Sequence, residues 1–149
     1  MTILAKNKEI YFNYEIEDSL EAGIQLLGHE VKSAKSGNVS LKGAHVTVHG
    51  SEAMLVNAHI APYKYAGELA GYDPTRSRKL LLKRKEIDSI IGKYKIAGYA
   101  IVPLELYTKK GLIKVKLGIG RGKKKWDKRD VIKKKEADRK IGRAIRAKL

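Results

Sequence analysis

The strongest constraint on the fold is an alternation of apolar and polar residues near the middle of the second half of the chain. The apolar residues at every second position are Ile113, Val115, Leu117 and Ile119. Lys114 and Lys116 lie between them. Because successive side chains of a β-strand point to opposite faces, this pattern predicts a half-buried strand that carries its lysines on the solvent face.

Shorter alternations recur at three other places. They involve Ile10, Phe12, Tyr14 and Ile16; Val46 and Val48; and Val102, Leu104 and Leu106. The Lys-Lys-Gly turn signal at residues 109–111 predicts a hairpin between two long strands. Helical spacing of apolar residues predicts a helix at residues 83–94, and a second, short helix is expected at residues 28–36.

These elements predict a mainly β protein with small α-helices. Many short antiparallel strands in a basic domain of this size are typical of a closed barrel of the oligonucleotide-binding (OB) type. An open sheet packed by helices is the alternative, and periodicity does not separate the two.

Charge divides the chain unevenly. The 149 residues include 32 Lys and Arg against 16 Asp and Glu, a formal net charge of +16, of which residues 120–149 alone carry +10. The division falls at the glycine-rich residues 118–122, which we interpret as a permissive linker without side chains to anchor a fold. We therefore predict a body at residues 1–119, a basic tail at residues 120–149 and a polyanionic partner.

Several function classes are disfavoured by what the sequence lacks. There is no cysteine, which excludes disulfides, thiolate metal sites and cysteine nucleophiles. His45 and His49 lie on a predicted strand, where positions i and i+4 are roughly 13 Å apart and cannot share a metal. We expect no enzyme activity, no cofactor and no metal. Without an apolar run of about 18 residues or a leader peptide, we also expect a cytoplasmic protein with no membrane partner.

Two basic segments are candidate phosphate-binding sites. Arg76, Arg78 and Lys79 lie on a loop that Pro74 begins, and the two arginines could bridge adjacent phosphates if the segment is extended. Surface charges that frame a strand are an equally good interpretation. The lysine-rich hairpin that contains Lys114 and Lys116 could extend the basic surface.

Aromatic residues occur among these charges. Trp126 lies within a run of cations where no apolar neighbour could bury it, which indicates stacking on a nucleobase. Tyr63, Tyr65, Tyr72 and Tyr107 could stack too, although tyrosines more often fill cores and interfaces. The carboxylates near residues 15–21 are interpreted as a solvated acidic turn.

The tail after residue 126 has helical spacing but a thin apolar ridge, formed by Ala137, Ile141, Ile145 and Leu149. Like charges at i, i+4 repel and Gly142 weakens a helix. We expect a tail that is disordered when free and that becomes helical when phosphates neutralise it.

Six blocks of the sequence resemble the SmpB family, in the family's order and across nearly the whole chain. They are residues 21–24 (EAGI), 28–33 (GHEVKS), 57–63 (NAHIAPY), 73–82 (DPTRSRKLLL), 102–107 (VPLELY) and 122–129 (GKKKWDKR). The resemblance implies an antiparallel OB-type barrel with small helices, and a C-terminal tail that is disordered when free and helical on the ribosome.

The resemblance also implies a function. Family members are non-catalytic adaptors that bind the tRNA-like domain of transfer-messenger RNA (tmRNA) and enter the A site of stalled ribosomes with elongation factor Tu. There they support trans-translation, which rescues the ribosome and tags the peptide, while the tail contacts the small-subunit decoding centre and the empty mRNA channel. A small basic structural ribosomal or rRNA-binding protein is the alternative.

Site residues follow from the resemblance by local context. The tmRNA contacts are expected at Asn7, Glu21, Leu81 and Lys114, beside the basic candidates named above. For Glu21 the resemblance thus predicts an RNA contact, in place of a role in a solvated acidic turn. The decoding-centre contacts are expected at Gly122, Lys123, Lys124, Trp126, Asp127, Lys128 and Arg129. Trp126 stands where many members have histidine, which keeps a planar ring but removes a titratable one.

Overall fold

The computed structural model describes residues 1–67 and 69–123. The described elements are β1 (Thr2–Lys6), α1 (Ile10–Asn13), β2 (Tyr14–Ile24), α2 (Gly28–Lys35), β3 (Val39–Ser40), β4 (His45–His49), β5 (Glu52–Val56), β6 (His59–Ile60), β7 (Arg78–Leu81), α3 (Arg84–Tyr94), β8 (Tyr99–Lys109) and β9 (Leu112–Gly122). The prediction of a mainly β fold with small helices is confirmed. The helices expected at residues 28–36 and 83–94 are α2 and α3.

Seven strands form one antiparallel sheet in the order β1-β8-β9-β2-β7-β5-β4, and β3 pairs with β6 separately. The sheet curves so that β4 also approaches β8. Within the described residues, β1 and β4 are its two hydrogen-bonding edges, so the sheet is open. None of the helices in residues 1–67 and 69–123 is long and apolar enough to cross a membrane.

The core lies on the inner face of the sheet, and β9 contributes to it as its alternation predicts. Ile113, Val115, Leu117 and Ile119 are all buried. The β8–β9 hairpin turns at Lys110 and Gly111, whose φ angles of 51° and 79° are both left-handed. This is the geometry of a type I′ turn, which matches the twist of the strands that it joins.

Two predicted alternations need correction. Ile10 and Phe12 belong to the short helix α1, so β2 begins only at Tyr14. On β8, the register shifts between Pro103 and Glu105. Because a bulge changes the face to which later side chains point, Leu106 joins the main core while Val102 and Leu104 form a second cluster with Ile10 of α1.

The linker interpretation of residues 118–122 is wrong. These residues lie inside β9 and pair with both β2 and β8. A Cβ atom on Gly120 would overlap the carbonyl oxygen of Glu15, and one on Gly118 would lie 2.8 Å from Cδ2 of Leu104. Glycine is therefore required for close packing here. The strand runs past the boundary expected at residue 119, while residues 124–149 lie outside the described residues and the tail stays a prediction.

Candidate nucleic-acid interface

The outer faces of β7, β2 and β9 bring three predicted RNA contacts together. Gly23 of β2 pairs with Leu81 on one side and with Lys114 on the other. One step along the same face, Glu21 pairs with Lys116. Strand register thus gathers residues that are up to 95 positions apart in the sequence.

Alternation explains why these side chains face outward. Their neighbours Ala22, Leu80 and Val115 are buried in the core. Residues adjacent in a strand point to opposite faces, so Glu21, Leu81 and Lys114 point away from the core. Leu81 remains 53% exposed, so its apolar side chain is accessible on this face next to charged ones.

Gly23 shapes the surface between them. Because it has no side chain, β2 and β7 approach closely, and a Cβ atom at this position would lie 3.1 Å from Cβ of Leu81. A cavity of about 430 Å³ opens there, lined by Glu21, Ala22, Gly23, Leu81, Leu82, Lys83, Glu86 and Lys114. We call this cavity the Gly23 notch.

Glu21 is held as a charged acceptor at the rim of the notch. The Tyr107 hydroxyl donates a hydrogen bond to its carboxylate, and Lys109 Nζ lies 3.5 Å from Oε2. The hydrogen bond from Tyr107, together with the charges of Lys109 and Lys114, lowers the pKa of Glu21. Burial and the neighbouring carboxylate raise the pKa of Tyr107, so the phenol remains a donor. Glu21 lies within β2, and the interpretation as an acidic turn is wrong.

The Gly23 notch combines three kinds of contact. Lys114 and the exposed Lys116 can neutralise phosphates, and Glu21 can accept hydrogen bonds from base amino groups or ribose hydroxyls. Leu81 offers an apolar surface for a sugar or a base edge. A carboxylate acceptor at the rim, beside cations, suits a ligand that carries both phosphates and donors, as RNA does. Glu86, the second carboxylate of the notch, accepts a hydrogen bond from the Lys83 N–H.

Asn7 is not part of this surface. Its side chain is buried, and its amide nitrogen donates to the carbonyl oxygens of Leu41 and Pro103 at 3.3 and 3.0 Å. The amide therefore ties the end of β1 to β8. Direct contact between this side chain and RNA stays a prediction.

The proposed phosphate bridge between Arg76 and Arg78 is wrong. Arg78 is on the inner face of β7 and is 0% exposed, and its guanidinium donates to Glu30 and to the carbonyl oxygens of Ala58 and Pro74. Arg76 also donates through Nε and a terminal nitrogen to Glu30. A buried carboxylate must be paired, so both guanidinium groups point to Glu30, and Arg78 cannot reach a phosphate. The side chain of Arg76 is 31% exposed, and its contact with RNA stays a prediction.

The carboxylate of Glu30 is the centre of this buried cluster. Burial alone would raise its pKa, but hydrogen bonds from Arg76, from the Leu27 N–H and from Arg78 bring the pKa down to about 2. The Tyr72 hydroxyl donates to the same carboxylate, and burial and Glu30 raise the pKa of Tyr72. The cluster therefore remains ionised at neutral pH.

The other predicted contacts have different outcomes. Lys79 shares the outer face of β7 with Leu81 and pairs with Glu52 at 3.3 Å, so it stays a candidate contact, as does Lys116. Gly122 ends β9, and Lys123 donates through Nζ to the carbonyl oxygen of Tyr11. Lys124, Trp126, Asp127, Lys128 and Arg129 lie outside the described residues, and their contact with the decoding centre stays a prediction.

Sequence reasoning missed two features of the site, namely the notch at Gly23 and the role of Tyr107 as a partner of Glu21. A glycine inside a strand pattern often marks a close backbone approach, and this signal could have found the first. No local signal pairs Tyr107 with Glu21, because 86 positions separate them.

Comparison with known proteins identifies the family. The SmpB protein family profile matches residues 4–147. The chain belongs to the SmpB family. Two relatives named SsrA-binding protein are each 49% identical: one from Geobacillus sp. (strain WCH70), over 97% of this chain and 92% of the relative, and one from Oceanobacillus iheyensis, over 97% and 93%.

The resemblance to the SmpB family noted in the sequence is thus confirmed. A solved structure described as "tmRNA-SmpB: a journey to the center of the bacterial ribosome" aligns with a TM-score of 0.69 and 39% identity, over 85% of this chain and 92% of that chain.

Proposed function

We propose that this chain is a non-catalytic adaptor that binds the tRNA-like domain of tmRNA through the Gly23 notch and carries it to stalled ribosomes for trans-translation. The observation that carries the proposal is the convergence of Glu21, Leu81 and Lys114 around Gly23 on one exposed face. The names of the relatives, which are SsrA-binding proteins, support the same ligand.

Different residues of the notch provide affinity and specificity. Lys114 and the neighbouring lysines attract the phosphate backbone and make affinity depend on salt. Glu21 and Leu81 supply contacts that a random polyanion cannot satisfy, because they need a correctly placed donor and an apolar surface. Binding at the notch should therefore discriminate the folded tRNA-like domain from other RNA.

The remaining steps of the proposal concern the ribosome. We infer that the complex enters the A site with elongation factor Tu, and that the basic tail then contacts the decoding centre and the mRNA channel. The net charge of +10 on residues 120–149 supports contact with a phosphate-lined channel. Because β9 continues to Gly122, we propose that the tail begins after this residue and not at residue 120.

Binding of the tRNA-like domain tests the notch. We expect Lys114→Ala and Glu21→Gln each to weaken binding by about 10-fold or more, the effect typical of losing a hydrogen bond to a charged group. Lys95→Ala is the matched control, because Lys95 is an exposed lysine just after α3 and outside the notch. If Lys114→Ala and Lys95→Ala lowered the affinity equally, the protein would bind this RNA by nonspecific charge attraction and not by recognition at the notch.

Ribosome association tests the adaptor role. The full-length protein should be enriched on ribosomes stalled at the end of a truncated message, and Lys114→Ala should lower both this enrichment and peptide tagging. Equal amounts on translating and stalled ribosomes would instead indicate a structural ribosomal protein.

A further inference from the structure

A second surface with the chemistry of RNA binding lies on the loop that follows β6. Tyr65 is 75% exposed, and its ring packs edge to face against Tyr63, with ring centroids 5.6 Å apart and planes at 70°. Tyr63 is half-buried, so the pair offers the exposed ring of Tyr65 and part of the Tyr63 ring to a ligand as flat apolar area. No residue of 61–67 lines the Gly23 notch.

Two lysines flank this aromatic pair. Lys64 Nζ lies 5.3 Å from the Tyr65 ring centroid, and Lys32 Nζ, from α2, lies 5.8 Å from the Tyr63 ring centroid. Cations beside aromatic faces are the combination by which proteins hold single-stranded nucleic acid, because the rings stack on bases while the charges bind the backbone.

The loop is anchored at its start. The Ser33 hydroxyl of α2 donates to the carbonyl oxygen of Ala61 at 2.6 Å, and the Ala61 N–H donates to the carbonyl oxygen of Asn38 at 3.0 Å. A turn bond from the Ala66 N–H to the Tyr63 carbonyl oxygen, at 3.1 Å, bends the chain between the two rings.

The buried Glu30 cluster anchors the other end. The Tyr72 hydroxyl donates to Glu30, and its oxygen also lies 3.0 Å from the carbonyl oxygen of Ile60. The Ile60 N–H donates to the carbonyl oxygen of Pro74. The cluster thus ties the two sides of the loop to α2 and β7. A loop held in this way loses little conformational entropy when a ligand binds.

We propose that Tyr63 and Tyr65, with Lys32 and Lys64, form a second RNA-binding surface that stacks an unpaired base and contacts its phosphates. RNA is favoured over a protein partner because each ring has a lysine beside it and the chain carries a net charge of +16. The surface is separate from the Gly23 notch, so this proposal does not depend on which RNA the notch binds.

Photocrosslinking to full-length protein tests the surface locally, without interference from RNA bound elsewhere. The probe is a short single-stranded oligouridylate that contains 5-iodouridine, which crosslinks to aromatic rings stacked on it. We expect crosslinks at Tyr65 or Tyr63, located by mass spectrometry of tryptic peptides, which separate the two tyrosines by cleavage after Lys64.

Variants make the test quantitative. Tyr65→Ala should lower the crosslink yield on this loop by about 5-fold or more, as expected from loss of one stacking contact, whereas Tyr65→Phe should keep it because the ring remains. Tyr94→Ala, which removes an exposed tyrosine of α3, is the matched control and should leave the yield unchanged.

Heparin, a polyanion without bases, separates stacking from charge. Tyr65→Ala should bind heparin as the unaltered protein does. The proposal is overturned if the loop does not crosslink while other tyrosines do, or if Tyr65→Ala weakens heparin binding as much as it lowers crosslinking. Loss of tmRNA binding in the notch variants would leave the loop crosslink intact, so the two proposals fail independently.

Discussion

Arg78 and Lys79 are neighbours in β7 and have opposite environments. The side chain of Arg78 is 0% exposed and faces Glu30, whereas that of Lys79 is 44% exposed and faces solvent. The difference follows from strand geometry, because adjacent residues point to opposite faces. The basic motif therefore contains one cation that stabilises the fold, Arg78, and one that can contact a ligand, Lys79.

The two carboxylates Glu30 and Glu21 repeat this contrast. Each accepts a hydrogen bond from a tyrosine hydroxyl, and each has a lowered pKa. Glu30 is fully buried and uses its oxygens on two arginines, a tyrosine and a backbone N–H. Glu21 is partly exposed beside lysines, so it can still accept hydrogen bonds from a ligand. Both residues are glutamates, so it is burial that makes Glu30 a structural carboxylate and leaves Glu21 able to bind a ligand.

The largest expected effect comes from removing Arg78. Arg78→Ala leaves the Glu30 carboxylate buried with only part of its compensation, and we expect the free energy of unfolding to fall by about 3–5 kcal/mol. Lys79→Ala, one residue away, should change it by about 0–1 kcal/mol, because exposed ion pairs contribute little. Urea denaturation followed by circular dichroism measures both.

If the Arg78→Ala protein were as stable as the unaltered one but bound RNA more weakly, Arg78 and not Lys79 would be the cation that contacts RNA.

The second largest effect is the loss of folding stability when acid protonates Glu30. Its folded-state pKa of about 2 lies below the ordinary value of 4.5, so its stabilising contribution is complete above pH 4.5 and is lost as the pH falls toward 2. The shift corresponds to about 3 kcal/mol between these limits. Carbon NMR of the Glu30 carboxyl group measures its titration directly.

Glu21→Gln is the control for the acid experiment, because it removes the exposed carboxylate and should leave most of the acid destabilisation in place. A Glu30 carboxyl group that titrates near 4.5 in the folded protein would contradict the buried ion cluster.

The smallest effects come from the two tyrosine hydroxyls. Tyr72→Phe should lower the free energy of unfolding by about 1–3 kcal/mol, because it leaves buried partners without a hydrogen bond, and it should not change binding at the notch. Tyr107→Phe should weaken binding of the tRNA-like domain by about 2- to 10-fold, because Glu21 loses the donor that orients it.

Parallel denaturation and RNA-binding measurements on the two tyrosine variants sharpen the comparison. If Tyr72→Phe weakened RNA binding and Tyr107→Phe did not, the roles of the two carboxylates would have to be exchanged.

Local patterns in the sequence predicted two of the helices, the β8–β9 hairpin and several strands. The alternation along β9 predicted a buried row and an outer row that contains Lys114 and Lys116, and the helical spacing after residue 83 predicted α3. The motif blocks predicted the family. Each of these signals arises within a few neighbouring residues, where backbone geometry alone relates position to orientation.

Other features depended on contacts between distant residues. The pairing of Arg78 with Glu30, 48 positions away, turned an apparent phosphate-binding motif into a buried ion cluster. The close packing of Gly118 and Gly120 against β8 and β2 turned an apparent linker into strand. Sequence by itself determined which residues carry charge or lack a side chain, whereas only the tertiary structure decided which of them meet, because burial and pairing are properties of the packed chain.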